Sequence, residues 1–166
     1  MSAVRSLVLV VVLASLSACG FALRGSGGTY SMPFKSIYLG FADTSALGTE
    51  LRRNLRGGDR VEVVTDSSRA EARFEVLSEK RSKSILSLNA QGRVREYMLN
   101  YTLVFRVLDT KGDELLSPTE IALKRPLTFN ETQVLAKESE EALLYRDMQT
   151  DLVQQILRRL AAVKPN

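Results

Sequence analysis

From Tyr97 to Val107 every second residue is apolar, in the order Tyr97, Leu99, Tyr101, Leu103, Phe105, Val107, and the positions between are mostly polar or mixed. Successive side chains of a strand point to opposite faces, so this run spells a long strand with one buried face. Upstream, Phe74 to Leu88 also reads as strand, with an alternation that changes register and so implies a bulge. Asn89-Ala90-Gln91-Gly92 supplies the turn between the two. Downstream, after a turn at Lys111-Gly112-Asp113, the residues Leu115, Ile121, Leu123, Leu127 and Phe129 share one parity and give a third long strand. Pro118 and Pro126 each remove a ladder donor from it, which places it at an edge or in a bulge.

The flanks supply helices. Ile37-Tyr38-Leu39-Gly40-Phe41 is a short apolar run, and Asp43, Thr44 or Ser45 can cap a helix over Ala46 to Leu55 with Leu47, Leu51 and Leu55 on one face. Gly57-Gly58 stops that helix, and Val61 to Val64 returns as a short strand. A final helix starts near Asn130 or Thr132, with Ala142, Tyr145, Leu152, Val153, Ile156, Leu160 and Val163 as its apolar face. Leu144 and Leu157 fall off that face and read as surface leucines, with a partner contact as the alternative. The order β-α-β-β-β-β-α predicts an α+β two-layer sandwich. Its sheet is mostly antiparallel, of four strands or slightly more, with long central hairpins and both helices on one face.

Composition excludes several function classes. The 166 residues include no histidine and a single cysteine, Cys19, so internal disulfides, CxxC sites and histidine-based acid–base chemistry are ruled out. A formal net charge of +4 is too mild for a nucleic-acid stripe. Glu138, Glu140 and Glu141 could in principle serve a hydrolase, but three acids at a helix start are more simply a solvated first turn at the positive helix end. The residues point to a chain that is not an enzyme and needs no cofactor beyond a covalent lipid.

That lipid is argued from the start of the chain. Arg5 precedes an eight-residue apolar run, Leu7 to Ala14, which is the length of a secretory signal core and too short for a membrane span. Leu16-Ser17-Ala18-Cys19 matches the bacterial lipobox: a thiol to take a diacylglyceryl group, preceded by small residues that fit a peptidase cleft. The expected organisation is a signal peptide over 1–18, a lipidated N-terminus and flexible tether over 19–35, and one α/β domain over 36–166. Gly25, Ser26, Gly27, Gly28 and Thr29 give the tether its composition. Gly20 in place of aspartate after the cysteine favours, by resemblance to lipoprotein sorting rules, export to the periplasmic leaflet of the outer membrane. There the anchor would be held by several acyl chains.

The chain resembles the LptE family of lipopolysaccharide-assembly lipoproteins. The matching residues are Cys19-Gly20-Phe21-Ala22-Leu23-Arg24, Glu96-Tyr97-Met98-Leu99, Leu135-Ala136-Lys137-Glu138-Ser139-Glu140 and Ile156-Leu157-Arg158-Arg159-Leu160, in that order. The resemblance implies a non-catalytic partner and plug of the LptD β-barrel that assists barrel assembly and binds lipopolysaccharide on its way to the outer leaflet. It also implies Lys137 as a lipopolysaccharide contact. At the central hairpin turn, where the family places a basic residue, this chain has Ala90, so Arg93 and Arg95 just past the turn stand in as candidates. Lys80, Arg81 and Lys83 lie on the incoming strand, and Arg52, Arg53, Arg56 and Arg60 around the first helix read as a solvated group. The alternative is a free-standing periplasmic scaffold or ligand-binding module with the same anchor and no barrel partner.

Overall fold

The computed structural model describes residues 31–57 and 61–164. The signal segment, Cys19, the tether as far as Tyr30, the Gly58 stop and Arg60 lie outside the described residues.

Strand β1 (Ser36–Gly40) leads into helix α1 (Ala46–Gly57) and strand β2 (Glu62–Val64). Three long strands follow, β3 (Ala72–Leu88), β4 (Val94–Leu108) and β5 (Glu114–Thr128), and the chain closes in helix α2 (Val134–Ala161). The sheet order is β2-β1-β3-β4-β5. β1 runs parallel to both β2 and β3, while β3–β4 and β4–β5 are antiparallel. The sheet is therefore mixed and five-stranded, one strand more than the smaller count expected. Its longest pairings are the antiparallel ones. The parallel start follows from α1, because parallel neighbours need a crossover and a helix supplies it.

Both hairpin turns are built alike. Asn89 Oδ1 accepts from the backbone N–H of Gln91 and Arg93, and Asp109 Oδ1 from those of Lys111 and Asp113. Each turn then needs one residue in the left-handed region, occupied by Gly92 (φ 75°) and Gly112 (φ 94°). The bulge expected in β3 is present twice, between Val76 and Ser78 and again around Ile85, Ser87 and Leu88. β5 lies at the sheet edge, with Pro118 inside the stretch where its pairing to β4 slips.

The inner face of β4 (Leu99, Tyr101, Leu103, Phe105, Val107) is wholly buried beneath the helices. Phe105 stacks on Phe74 at 4.7 Å between ring centroids, and Phe74 on Phe41 at 5.4 Å. α1 contributes Leu47, Leu51 and Leu55 to this core. Its first turn is capped by Ser45, whose Oγ accepts from the Gly48 N–H at 3.0 Å. Gly48 also lets Phe41 close in, since a Cβ there would sit 2.6 Å from the Phe41 Cβ.

The apolar face of α2 differs from the sequence expectation. Leu157 is buried at 5% exposure and Leu144 packs half-buried against the core, whereas Ala142 is exposed. Met148, fully buried, was absent from the expected face. The cause is that α2 meets two neighbours. Beyond Met148 it packs on the sheet and also lies beside α1, where Gln149 Nε2 and Thr150 Oγ1 donate to the Glu50 carboxylate at 2.7 and 2.9 Å. A helix covered on two sides buries a wider stripe than one resting on a sheet. Its first half overhangs the core and leaves Leu135 (79%) and Leu143 (55%) in solvent.

Candidate functional site

The cations singled out from sequence converge on one end of the molecule. Arg93 follows Gly92 at the β3–β4 turn and places Nη1 3.2 Å from Glu131 Oε2, in the short 3₁₀ turn before α2. Arg95, exposed, has its carbonyl bonded to the Phe129 N–H at 2.8 Å, which clamps the end of β5 to the start of β4. Lys137, in the first turn of α2, donates to Glu140 Oε2 at 2.8 Å and to Thr128 Oγ1 at 3.0 Å. Hairpin tip, strand end and helix start thus meet, and all three basic residues share that junction.

The three differ in availability. Arg93 and its partner Glu131 are 66% and 56% exposed, an arrangement that solvent weakens and a stronger anion can replace. Lys137 is only 16% exposed and already holds two acceptors. Arg95 has no ion pair recorded among the described residues. Exposed Ile85, Leu86 and Leu88 on β3 and Val134 and Leu135 on α2 belong to the same end. Cations beside uncovered apolar side chains make an amphipathic surface, suited to a ligand with anionic groups and acyl chains. The acids of the α2 start serve these cations: Glu140 binds Lys137, and Glu141 binds Lys83 at 2.7 Å. Glu141 holds the Lys83 ammonium above the ordinary lysine range.

Next to this end lies a polar network that sequence reasoning missed. The Arg81 guanidinium sits 4.3 Å from the Tyr101 ring centre and 5.6 Å from that of Tyr145. Its Nη2 donates to the Tyr101 hydroxyl at 2.9 Å and to Gln149 Oε1 at 3.0 Å. The Tyr101 hydroxyl donates in turn to Glu79 Oε1 at 2.6 Å, and Gln149 continues to Glu50. The network ties β3, β4, α2 and α1 together. Its members are up to 99 residues apart, and no local pattern joins Glu50 to Gln149.

Burial, reinforced by the hydrogen bond to Glu79 and opposed by that from Arg81, pushes the Tyr101 phenol from 10.0 up to about 12. The fold therefore favours the neutral phenol. That contribution is complete below pH about 10 and is lost as pH rises through about 12, a change on the order of 2 kcal/mol. Urea unfolding across this window should show the decline, and Tyr101→Phe should remove it. An unchanged slope in the variant would assign the decline to other groups.

Of the arginine group around α1, Arg52 and Arg56 line an open crevice of about 380 Å³ with Tyr38, Phe41 and Asp43. It lies apart from the hairpin-tip end.

The profile of the family described as LptE, lipopolysaccharide-assembly, matches residues 34–160. A Pectobacterium atrosepticum protein named LPS-assembly lipoprotein LptE is 28% identical over 162 residues, covering 95% of this chain and 85% of its own length. Among solved structures, lipoprotein B from Nitrosomonas europaea is 42% identical with a TM-score of 0.73, covering 86% of this chain and 91% of that one. The rare lipoprotein B from Shewanella oneidensis is 25% identical with a TM-score of 0.66, covering 76% and 94%.

Proposed function

The chain belongs to the LptE lipopolysaccharide-assembly family, and from that premise we propose that it is a non-catalytic outer-membrane lipoprotein that plugs the LptD β-barrel and binds lipopolysaccharide in transit. In this reading Cys19 carries the N-acyl and diacylglyceryl chains, and the folded domain reaches the barrel through the tether that follows. The observation that carries the ligand half is the junction of hairpin tip and α2 start. There Arg93 and Arg95 stand exposed among uncovered leucine, isoleucine and valine side chains. Phosphate groups would displace Glu131 from Arg93, because a doubly charged anion outcompetes a solvated carboxylate. Lys137, held by Glu140 and Thr128, would join only by exchanging one of those partners.

The barrel half is supported by the shape and chemistry of the long strands. The sheet face away from the helices carries Ser78, Lys80 and Ser82 on β3, Asn100 and Thr102 on β4 and Lys124 on β5. A mixed polar face of this kind is compatible with a wet barrel lumen.

The test uses the full chain. It should co-purify from outer-membrane extracts with one large β-barrel, and its depletion should leave newly made lipopolysaccharide off the cell surface. Normal surface lipopolysaccharide after depletion, or a stable monomer that recovers no barrel, overturns the reading in favour of a free-standing module. In the same preparation, Arg93→Glu combined with Arg95→Glu should weaken lipopolysaccharide binding about tenfold or more, since two charge-assisted contacts are reversed.

A further inference from the structure

A sheet has edges, and an edge presents unpaired N–H and C=O groups to any extended chain that reaches it. Two edges of this sheet are guarded. β2 has only three residues, and β5 carries Pro118, Pro126 and a slipped pairing. The third edge is different. β1 accompanies β3 only as far as Glu75, so from Val76 to Leu88 no strand lies on that side of β3 among the described residues. Between the two bulges, Ser78 to Ile85 runs in regular register along β4, free of proline and exposed throughout. At about 3.3 Å per residue this is roughly 25 Å of open edge. One of its carbonyls, that of Ser82, accepts the Tyr145 hydroxyl at 2.9 Å and keeps a second lone pair.

We propose that the β3 edge from Ser78 to Ile85 takes up, by strand addition, an extended segment of another protein with adjacent acidic residues at its centre and apolar residues at its ends. The charge argument is specific to the segment. Lys83 is matched by Glu141, but Lys80 has no ion pair recorded among the described residues, and Arg81 bonds only the uncharged Tyr101 and Gln149 side chains. Lys80 and Arg81 are consecutive and so face opposite sides of the sheet, which asks for acids at two adjacent positions of the incoming strand. Leu77 (47% exposed) at one end, with Ile85 (59%) and Leu86 (47%) at the other, ask for apolar residues there. A second copy fits poorly. In the antiparallel register centred on Ser82, which pairs residues 79–85, Arg81 of each copy would oppose Lys83 of the other, and like charges directly opposite are destabilising. Nor can a closed barrel wall supply the strand, since closure leaves it no edge. The segment would come from an unpaired stretch of a partner.

The full chain in detergent micelles, titrated with a synthetic peptide of about ten Leu, Thr and Val residues around two central glutamates, tests this. Amide hydrogen exchange over residues 78–85 should slow, and replacing the glutamates by lysines should weaken binding at least about tenfold. Lys80→Glu, at an exposed position, should weaken it about three- to tenfold. Two further peptides, N-methylated at alternate positions in the two possible frames, separate strand addition from charge attraction. One frame should lose binding and the other keep it. Equal behaviour of the two frames, equal binding of acidic and basic peptides, or protection of the same amides by the chain alone as its concentration rises, each overturns the proposal.

Discussion

Replacing Phe105 by alanine is expected to destabilise the domain by about 3–5 kcal/mol, the range for removing a fully buried aromatic ring. Phe105 is 0% exposed on the inner face of β4, toward its C-terminal end, and its ring stacks on Phe74, which stacks on Phe41. Deleting the last ring of that chain leaves a cavity lined by groups the sheet holds rigidly, so little collapse can refill it. The lost stacking contact adds about 0.5–1.5 kcal/mol beyond area burial. Urea unfolding is the measurement: the midpoint should fall sharply with the slope unchanged, because the surface exposed on unfolding is nearly the same. A shift under about 1 kcal/mol would mean that the β4 inner face is not the centre of the core.

The position of Phe105 was legible in the sequence because period-two alternation is a local signal. The same holds for the two glycine turns, the β3 bulge and the edge-or-bulge character of β5, each announced by residues within a few positions of the feature. Pairing is not local. That β1 lies between β2 and β3, in parallel with both, depends on where α1 packs, and the alternation inside β1 is the same for either orientation. The sequence therefore reads the strands well and the sheet less completely.

The candidate site divides in the same way. Arg93, Arg95 and Lys137 stand out by family resemblance and charge, but the contacts that gather them join residues far apart. Arg93 meets Glu131 across 38 residues, and Lys137 reaches back to Thr128 only because β5 ends where α2 begins. The difference in exposure between Arg93 and Lys137 has no counterpart in sequence, where both are basic residues in polar surroundings. Burial of a charged side chain is set by what packs over it. Arg81 makes the point from the other direction: in the sequence it is one of three basic residues on the incoming strand of the hairpin, and the fold uses it as the pin of a network spanning four elements.

Leu157→Ala separates the two descriptions of α2 with a large effect. A leucine on the solvent side of a helix costs little to truncate, typically within about 0.5 kcal/mol. A leucine at 5% exposure, with α2 lying against both the sheet and α1, should cost about 2–4 kcal/mol. The matched control is Leu143→Ala on the same helix at 55% exposure, where the change should stay within about 0.5 kcal/mol. Alanine favours the helix slightly at both positions, so intrinsic propensity cannot produce the difference. Equilibrium unfolding of the two variants side by side gives the answer. Similar small losses would place Leu157 at the surface and α2 on the sheet alone. A loss confined to Leu157 means that the C-terminal half of α2 is locked by two neighbours. The N-terminal half, which carries Leu135, Lys137 and Leu143, then stays free to serve the hairpin-tip surface.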